Sequence, residues 1–151
     1  MTVGGRDGST PVLRGAARGV IAAMSMSGVR QVTTALGLLP RTPPESVLSA
    51  TAPALFRRVP PDRRQALVEL MHWGYGAAGG VIFGILPRGI RRRAWAGPAY
   101  GFLFWAGFEA VLAPALGINR RYESTDQHVA LLADHVLYGA VVAASRWPYA
   151  D

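Results

Sequence analysis

Four side chains stand out as candidates for chemistry because they interrupt stretches that are otherwise apolar: Arg30, His72, Glu109 and His135. An ionisable group at membrane depth is costly and normally faces protein or water, so each marks a position worth weighing. His72 and His135 open the same pattern, H-x-x-Y-G-A: His72-Trp73-Gly74-Tyr75-Gly76-Ala77 and His135-Val136-Leu137-Tyr138-Gly139-Ala140. Two imidazoles at equal depth on helices of the same direction suit three chemistries. One is axial ligation of a haem, with Gly76 and Gly139 leaving room for the macrocycle. Another is a divalent metal held by His72 and His135 with Glu69 or Asp134 nearby. A third is a histidine pair titrating near neutrality. The bland alternative is a pair of interfacial hydrogen-bonding histidines. Asp134, adjacent to His135, is expected to point elsewhere. Arg30 and Glu109 fall at corresponding places in two helices and are expected to meet near the bundle axis as an ion pair. That pair either fixes helix register or serves transport.

The chain offers little to enzymatic chemistry. Its lack of cysteine removes a thiolate nucleophile, a disulfide framework and a cysteine-ligated metal. Glu69-Leu70-Met71-His72 reads as Glu-x-x-His once only, since the second copy has Leu132 in place of the glutamate. A di-iron bundle needs that motif on two helices. Gly74, Gly76 and Gly79 fit G-x-G-x-x-G by spacing, but they lie inside an apolar helix with no strand before them. No catalytic residue and no resident cofactor are expected; haem and a divalent metal stand as minor alternatives.

Those side chains need helices to hold them. The chain has 151 residues, a net charge of +7, 50% apolar and 17% charged residues, and a mean hydropathy of +0.20. Its length fits one domain. All 16 basic residues are arginine. They gather at the borders of apolar blocks, where topology signals sit in membrane proteins, so a lipid bilayer is the expected partner and nucleic acid is not. Four blocks, residues 15–39, 66–86, 94–118 and 127–145, are each long enough for the ~20 residues that cross a bilayer as a helix. The first, with Arg18, Arg30 and Gln31, has lying in the interface as its alternative. The sequence therefore predicts an all-α fold: a polytopic membrane four-helix bundle occupying residues 12–147, built from two repeated helical hairpins. Residues 1–11 and 148–151 read as tails. No signal-peptide pattern precedes the first block, so the N-terminus is expected to be retained.

Thr42-Pro43-Pro44-Glu45 opens as a capping box, predicting a short interfacial helix over residues 43–58 that Pro53 kinks or ends. Ser124-Thr125-Asp126-Gln127 is a second capping box, opening the fourth span. With both termini inside, Arg6, Arg14, Arg18, Arg88, Arg91–Arg93 and Arg146 lie inside, against Arg41, Arg57, Arg58, Arg63, Arg64, Arg120 and Arg121 outside. The short, dense loop at Arg88–Arg93 decides for N-in/C-in. Trp73, Tyr75, Trp95, Tyr100, Trp105, Tyr138 and Trp147 read as a headgroup-level aromatic belt.

The odd blocks correspond as well, Gly15-x-x-x-Gly19 matching Gly97-x-x-x-Gly101, and a glycine stripe Gly76, Gly80, Gly84 runs along the second block. Small residues at this spacing let helix backbones approach, either within the bundle or between copies in a homo-oligomer.

The stretch from residue 67 to 140 resembles the YagU-like family of small bacterial inner-membrane proteins. The resemblance rests on His72 before an aromatic–glycine turn, Leu86-Pro87, Tyr100-Gly101, Pro114, Gly117, Glu123 and His135. It implies a bacterial inner-membrane location, multi-pass, and no established catalysis; it transfers no catalytic residue. The expected role is a structural, accessory or self-associating membrane component. Proton or solute handling by Arg30, Glu109, His72 and His135 is one alternative, and a bis-histidine haem redox subunit is the other.

Overall fold

A computed structural model describes residues 9–36, 43–118 and 124–144. Its elements are α1 (Ser9–Ala35), α2 (Pro43–Thr51), α3 (Pro53–Arg58), α4 (Pro61–Ile85), α5 (Arg88–Arg91), α6 (Ala96–Gly107), a π-helical turn (Phe108–Leu112), α7 (Ala113–Ala115) and α8 (Thr125–Ala144). Among the described residues all regular structure is helical, so the fold is all-α. α1 begins at Ser9, inside the segment read as a tail. Thr42 and residues 148–151 lie outside the described residues, and with them the first capping box and the second tail.

Local chemistry sets the boundaries. Ser124 and Gln127 form the reciprocal capping box that starts α8: Gln127 N–H donates to Ser124 Oγ at 3.3 Å, and Ser124 N–H to Gln127 Oε1 at 3.0 Å. Pro53 splits the helical segment between residues 43 and 58. Ala52 before it leaves the helical region (φ −137°, ψ 56°), and the helix restarts with proline in its first turn, where no N–H is needed. Leu86 is likewise extended ahead of Pro87 and ends α4. The π-helical turn, which no sequence pattern announced, sits just before Pro114. Proline cannot donate to the Ala110 carbonyl and its ring crowds that oxygen, and the widened turn relieves the clash without breaking the helix. The helical path from 96 to 115 therefore stays continuous for about 30 Å at 1.5 Å per residue.

The four long helical segments pack as two antiparallel pairs, α1 with α4 and α6 with α8, and α1 also touches α8. Both pairs close on glycine. A Cβ on Gly15 would lie 2.5 Å from the Gly80 carbonyl oxygen, and one on Gly76 only 2.5 Å from Ala23 Cβ. A Cβ on Gly19 would overlap the Gly76 carbonyl, and one on Gly80 the Gly15 carbonyl. In the second pair, a Cβ on Gly97 would lie 2.7 Å from the Gly139 carbonyl and 2.7 Å from Ala143 Cβ. One on Gly101 would overlap the His135 carbonyl. Gly84 is buried on α4. These contacts give a register one turn away from the sequence match. Gly97 against Gly139 and Ala143 repeats the neighbours of Gly19, which faces Gly76 and Gly80, rather than those of Gly15. The helices of the two pairs thus carry the same motif but slide by one turn within it.

An aromatic seam joins the pairs. Phe104 stacks on Tyr75 (4.8 Å between centroids), Tyr138 (5.4 Å) and Tyr100 (5.7 Å). Tyr100 Oη donates to the Gly79 carbonyl at 2.6 Å and Tyr138 Oη to the Gly76 carbonyl at 2.5 Å. Two tyrosines expected in the headgroup belt, Tyr100 and Tyr138, are therefore part of this central seam, and the exposed Tyr75 stacks at its edge. Glycines 76 and 79 have no side chain to cover their carbonyls, which is why tyrosines from the other pair can reach them. Trp95 remains exposed at the α5–α6 end. Replacing Tyr138 by Phe keeps the stack and removes one buried hydrogen bond. A loss of about 1 kcal/mol is expected in a denaturant titration in detergent.

The outward faces are apolar. Leu13 and Ile21 on α1, Leu70 and Ile85 on α4, Leu103 on α6, Val111 on the π turn and Val129 on α8 are all more than half exposed. One described helix, α8, passes on its own as long and apolar enough to cross a membrane, with mean hydropathy 1.2.

Candidate functional site

Three of the four side chains that sequence singled out, Arg30, His72 and His135, converge on a cavity of about 290 Å³ between α1, α4, the π turn and α8, with α2 laid against one side. Arg30, His72, Asp134 and His135 supply its polar groups; Met26, Leu48, Phe108 and Leu131 are among its apolar walls. Arg30 lies near the end of α1 because Gly15, Gly19 and Ala23 bring that helix close to α4 for three turns below it. Its side chain is 5% exposed. Arg30 Nη2 donates to His72 Nε2 at 3.1 Å. A guanidinium has no acceptor, so His72 accepts through Nε2 and carries its proton on Nδ1. The other two guanidinium nitrogens of Arg30, Nε and Nη1, are buried without a hydrogen-bond partner.

Asp134 is 6% exposed and also lines the cavity, against the expectation that it points away from His135. Neighbouring helix positions differ by about 100°, and the cavity wraps far enough around α8 to receive both. Its carboxylate and that of Glu69 are the two acidic groups whose fields act on Arg30. His135 Nδ1 meets the Leu131 carbonyl at 2.7 Å, which fixes the Nδ1–H tautomer and makes Nε2 the basic nitrogen. The two imidazoles lie close enough for the charge of one to act on the other.

The expected partner of Arg30 is different from the one found. Glu109, on the π turn, is half-buried and is not among the cavity's lining residues; Arg30 is bonded to His72 instead. The extra residue of the π turn rotates everything after Phe108. Glu69, the proposed third metal ligand, accepts a short hydrogen bond from Ser27, whose Oγ also accepts from Trp73 Nε1 at 3.3 Å. Among the described residues, no three of His, Cys, Asp and Glu gather as a metal site.

Nor does the geometry fit a haem. The lone pair of His72 Nε2 that would bind iron is directed at Arg30, and Gly76 and Gly139 are filled by the neighbouring helices rather than left open. What the arrangement can do is hold one fixed cation, one carboxylate and two imidazoles around a small cavity with apolar walls. Such a set can pass a proton between Asp134 and His135, or orient a small polar solute against Arg30. Neither a family model, nor a curated protein, nor a solved structure matches the chain.

Proposed function

We propose that the chain is a polytopic protein of a bacterial inner membrane, with four spans and both termini inside, that handles a proton or a small solute at this cavity without covalent catalysis. Two hairpins of one design, α1–α4 and α6–α8, form the bundle, and α2 and α3 lie along its outer interface. The observation that carries the functional part is the convergence of Arg30, His72, Asp134 and His135 on one cavity toward the α2 end of their bundle. At 1.5 Å per residue, Asp134 stands about 14 Å, His72 about 17 Å and Arg30 about 8 Å inside the ends of their helices. Ionisable groups at such depth usually mark an ion or substrate path.

The membrane part is supported by the apolar faces turned outward on all four long segments. Only 28% of the most apolar stretch of α8 is buried, whereas the core helix of a water-soluble fold would hide most of it. The π turn divides the 96–115 segment without breaking its helical path, so that segment too has the length of a span. The family resemblance at residues 67–140 points to the same location. As an accessory or self-associating component the chain would need a free packing face, yet the glycines proposed for that role, Gly15, Gly19, Gly76, Gly80, Gly97 and Gly101, all meet neighbours inside the chain.

Purified protein reconstituted into liposomes under a pH gradient, with a lumenal pH dye, tests the function. Wild type is expected to dissipate the gradient, and Asp134→Asn or His135→Ala to return it to the rate of empty liposomes. Equal rates for wild type, both variants and empty liposomes would leave only the structural role.

A further inference from the structure

The end of the bundle opposite α2 carries a second and larger recess, about 660 Å³, that the cavity chemistry does not involve. One wall is the connection from α4 to α6: Arg88, Arg91, Arg92 and Arg93. The other is apolar and small, with Phe83 from α4 and Ala140 and Ala143 from α8. No acidic residue is among its described lining. We propose that this recess binds the phosphate of an anionic phospholipid, whose acyl chains leave along the apolar wall. The inference rests on the membrane reading above but not on the polar cavity.

Three observations carry it. The first is the shape of the charge: four arginines face one recess, and the side chain of Arg91 is already oriented, its Nε donating to the Leu86 carbonyl at 2.8 Å. The second comes from the neighbouring helix. Arg18 of α1 is 3% exposed, donates to the Val142 carbonyl at 3.4 Å, and feels its strongest charge interactions from Arg91 and Arg14, both repulsive. The arginines that line the recess and those of α1 beside it place like charges together, a field that favours an anion there. The third is the hydrogen-bonding geometry. A topology signal needs only positive charge, and it needs no recess. Guanidinium groups add forked hydrogen bonding that matches phosphate oxygens. Basic recesses between spans on the inner side are where anionic head groups bind.

The shared chemistry is phosphate, and a soluble phosphate is the other possible source. Full-length protein in a non-ionic detergent is titrated with phosphatidylglycerol, with phosphatidylcholine, and with inorganic phosphate, reading bound lipid by native mass spectrometry and thermal stability. Phosphatidylglycerol is expected to bind and stabilise, phosphatidylcholine to do neither, and inorganic phosphate to compete only weakly. Arg91→Gln with Arg92→Gln is expected to weaken phosphatidylglycerol binding about 25-fold, at roughly fivefold per charge. Arg91→Lys with Arg92→Lys keeps the charge and insertion, and it should still lose part of the affinity. Equal binding of both lipids, or an unchanged affinity in the Gln pair, overturns the proposal. Inorganic phosphate binding as tightly as phosphatidylglycerol overturns the lipid source. A carbonate wash of membranes, run in parallel, separates these outcomes from failure of the membrane reading: release of the chain would remove that reading whatever the titrations give.

Discussion

Gly19→Ala is expected to destabilise the bundle by about 3 kcal/mol, at the upper end for overpacking, and to lower the yield of folded protein sharply. The added methyl group would overlap the Gly76 carbonyl and come within 3.0 Å of Ala77 Cα. Both are backbone atoms of a helix, so no rotamer change relieves the contact and α1 must move away from α4. That movement also loosens everything α1 positions, Arg30 included. Gly28→Ala, Gly74→Ala and Gly107→Ala are the controls, because a Cβ there meets nothing within 4 Å. In a helix these should be neutral or stabilising by up to about 1 kcal/mol. Melting of the purified variants in one detergent checks the contrast. If Gly19→Ala melts with the three controls, the close crossing of α1 and α4 is not what holds the pair.

Each crossing already accommodates one methyl group, on opposite helices. Ala143 of α8 occupies the place that Gly80 holds in the first pair, and Ala23 of α1 packs against Gly76 in the place that Gly101 holds in the second. Added methyl groups on Gly19 and Gly101 would alike overlap a backbone carbonyl, so substitutions there should be similarly severe in the two pairs.

The glycine crossings were legible in sequence because small-x-x-x-small is a local pattern read within one helix. The H-x-x-Y-G-A repeat was legible for the same reason, and it placed His72 and His135 together. The one-turn slide between the pairs was not, since it depends on whether Gly80 or Ala143 sits opposite the facing glycine. Asp134 was missed through a rule of thumb: a residue next to His135 was assumed to turn away, although 100° is little for a cavity spanning several helices. The Arg30–Glu109 pairing failed through the π turn, whose extra residue shifts register after Phe108 and whose cause, Pro114, reads in sequence only as a possible kink. The central tyrosines were assigned to the membrane interface by type. Only the carbonyls of Gly76 and Gly79, left uncovered for want of a side chain, explain why Tyr138 and Tyr100 turn inward.

Arg30 and Asp134 give the second large effect, and it separates their stability role from their function. Asp134 is buried, and the charge acting on it is that of Arg30. No direct ion pair joins the two groups, but Arg30→Met removes the cation acting on that carboxylate, and a loss of about 2 kcal/mol is expected, below what breaking a contacting buried pair costs. Asp134→Leu should cost less, about 1 kcal/mol, because Glu69 still acts on Arg30 from α4. The double variant replaces both charges by apolar groups in a cavity whose walls are already apolar. It is expected to be less destabilised than the sum of the single variants by at least about 1 kcal/mol, and even to approach wild type. Unfolding free energies of the four proteins in the same detergent close the cycle. Additivity within about 0.5 kcal/mol would mean that the two charges do not act on each other across the cavity. The same four proteins then address the function. A double variant that folds well yet no longer dissipates a pH gradient would show that the charges are kept for what the cavity handles, since the fold can do without them.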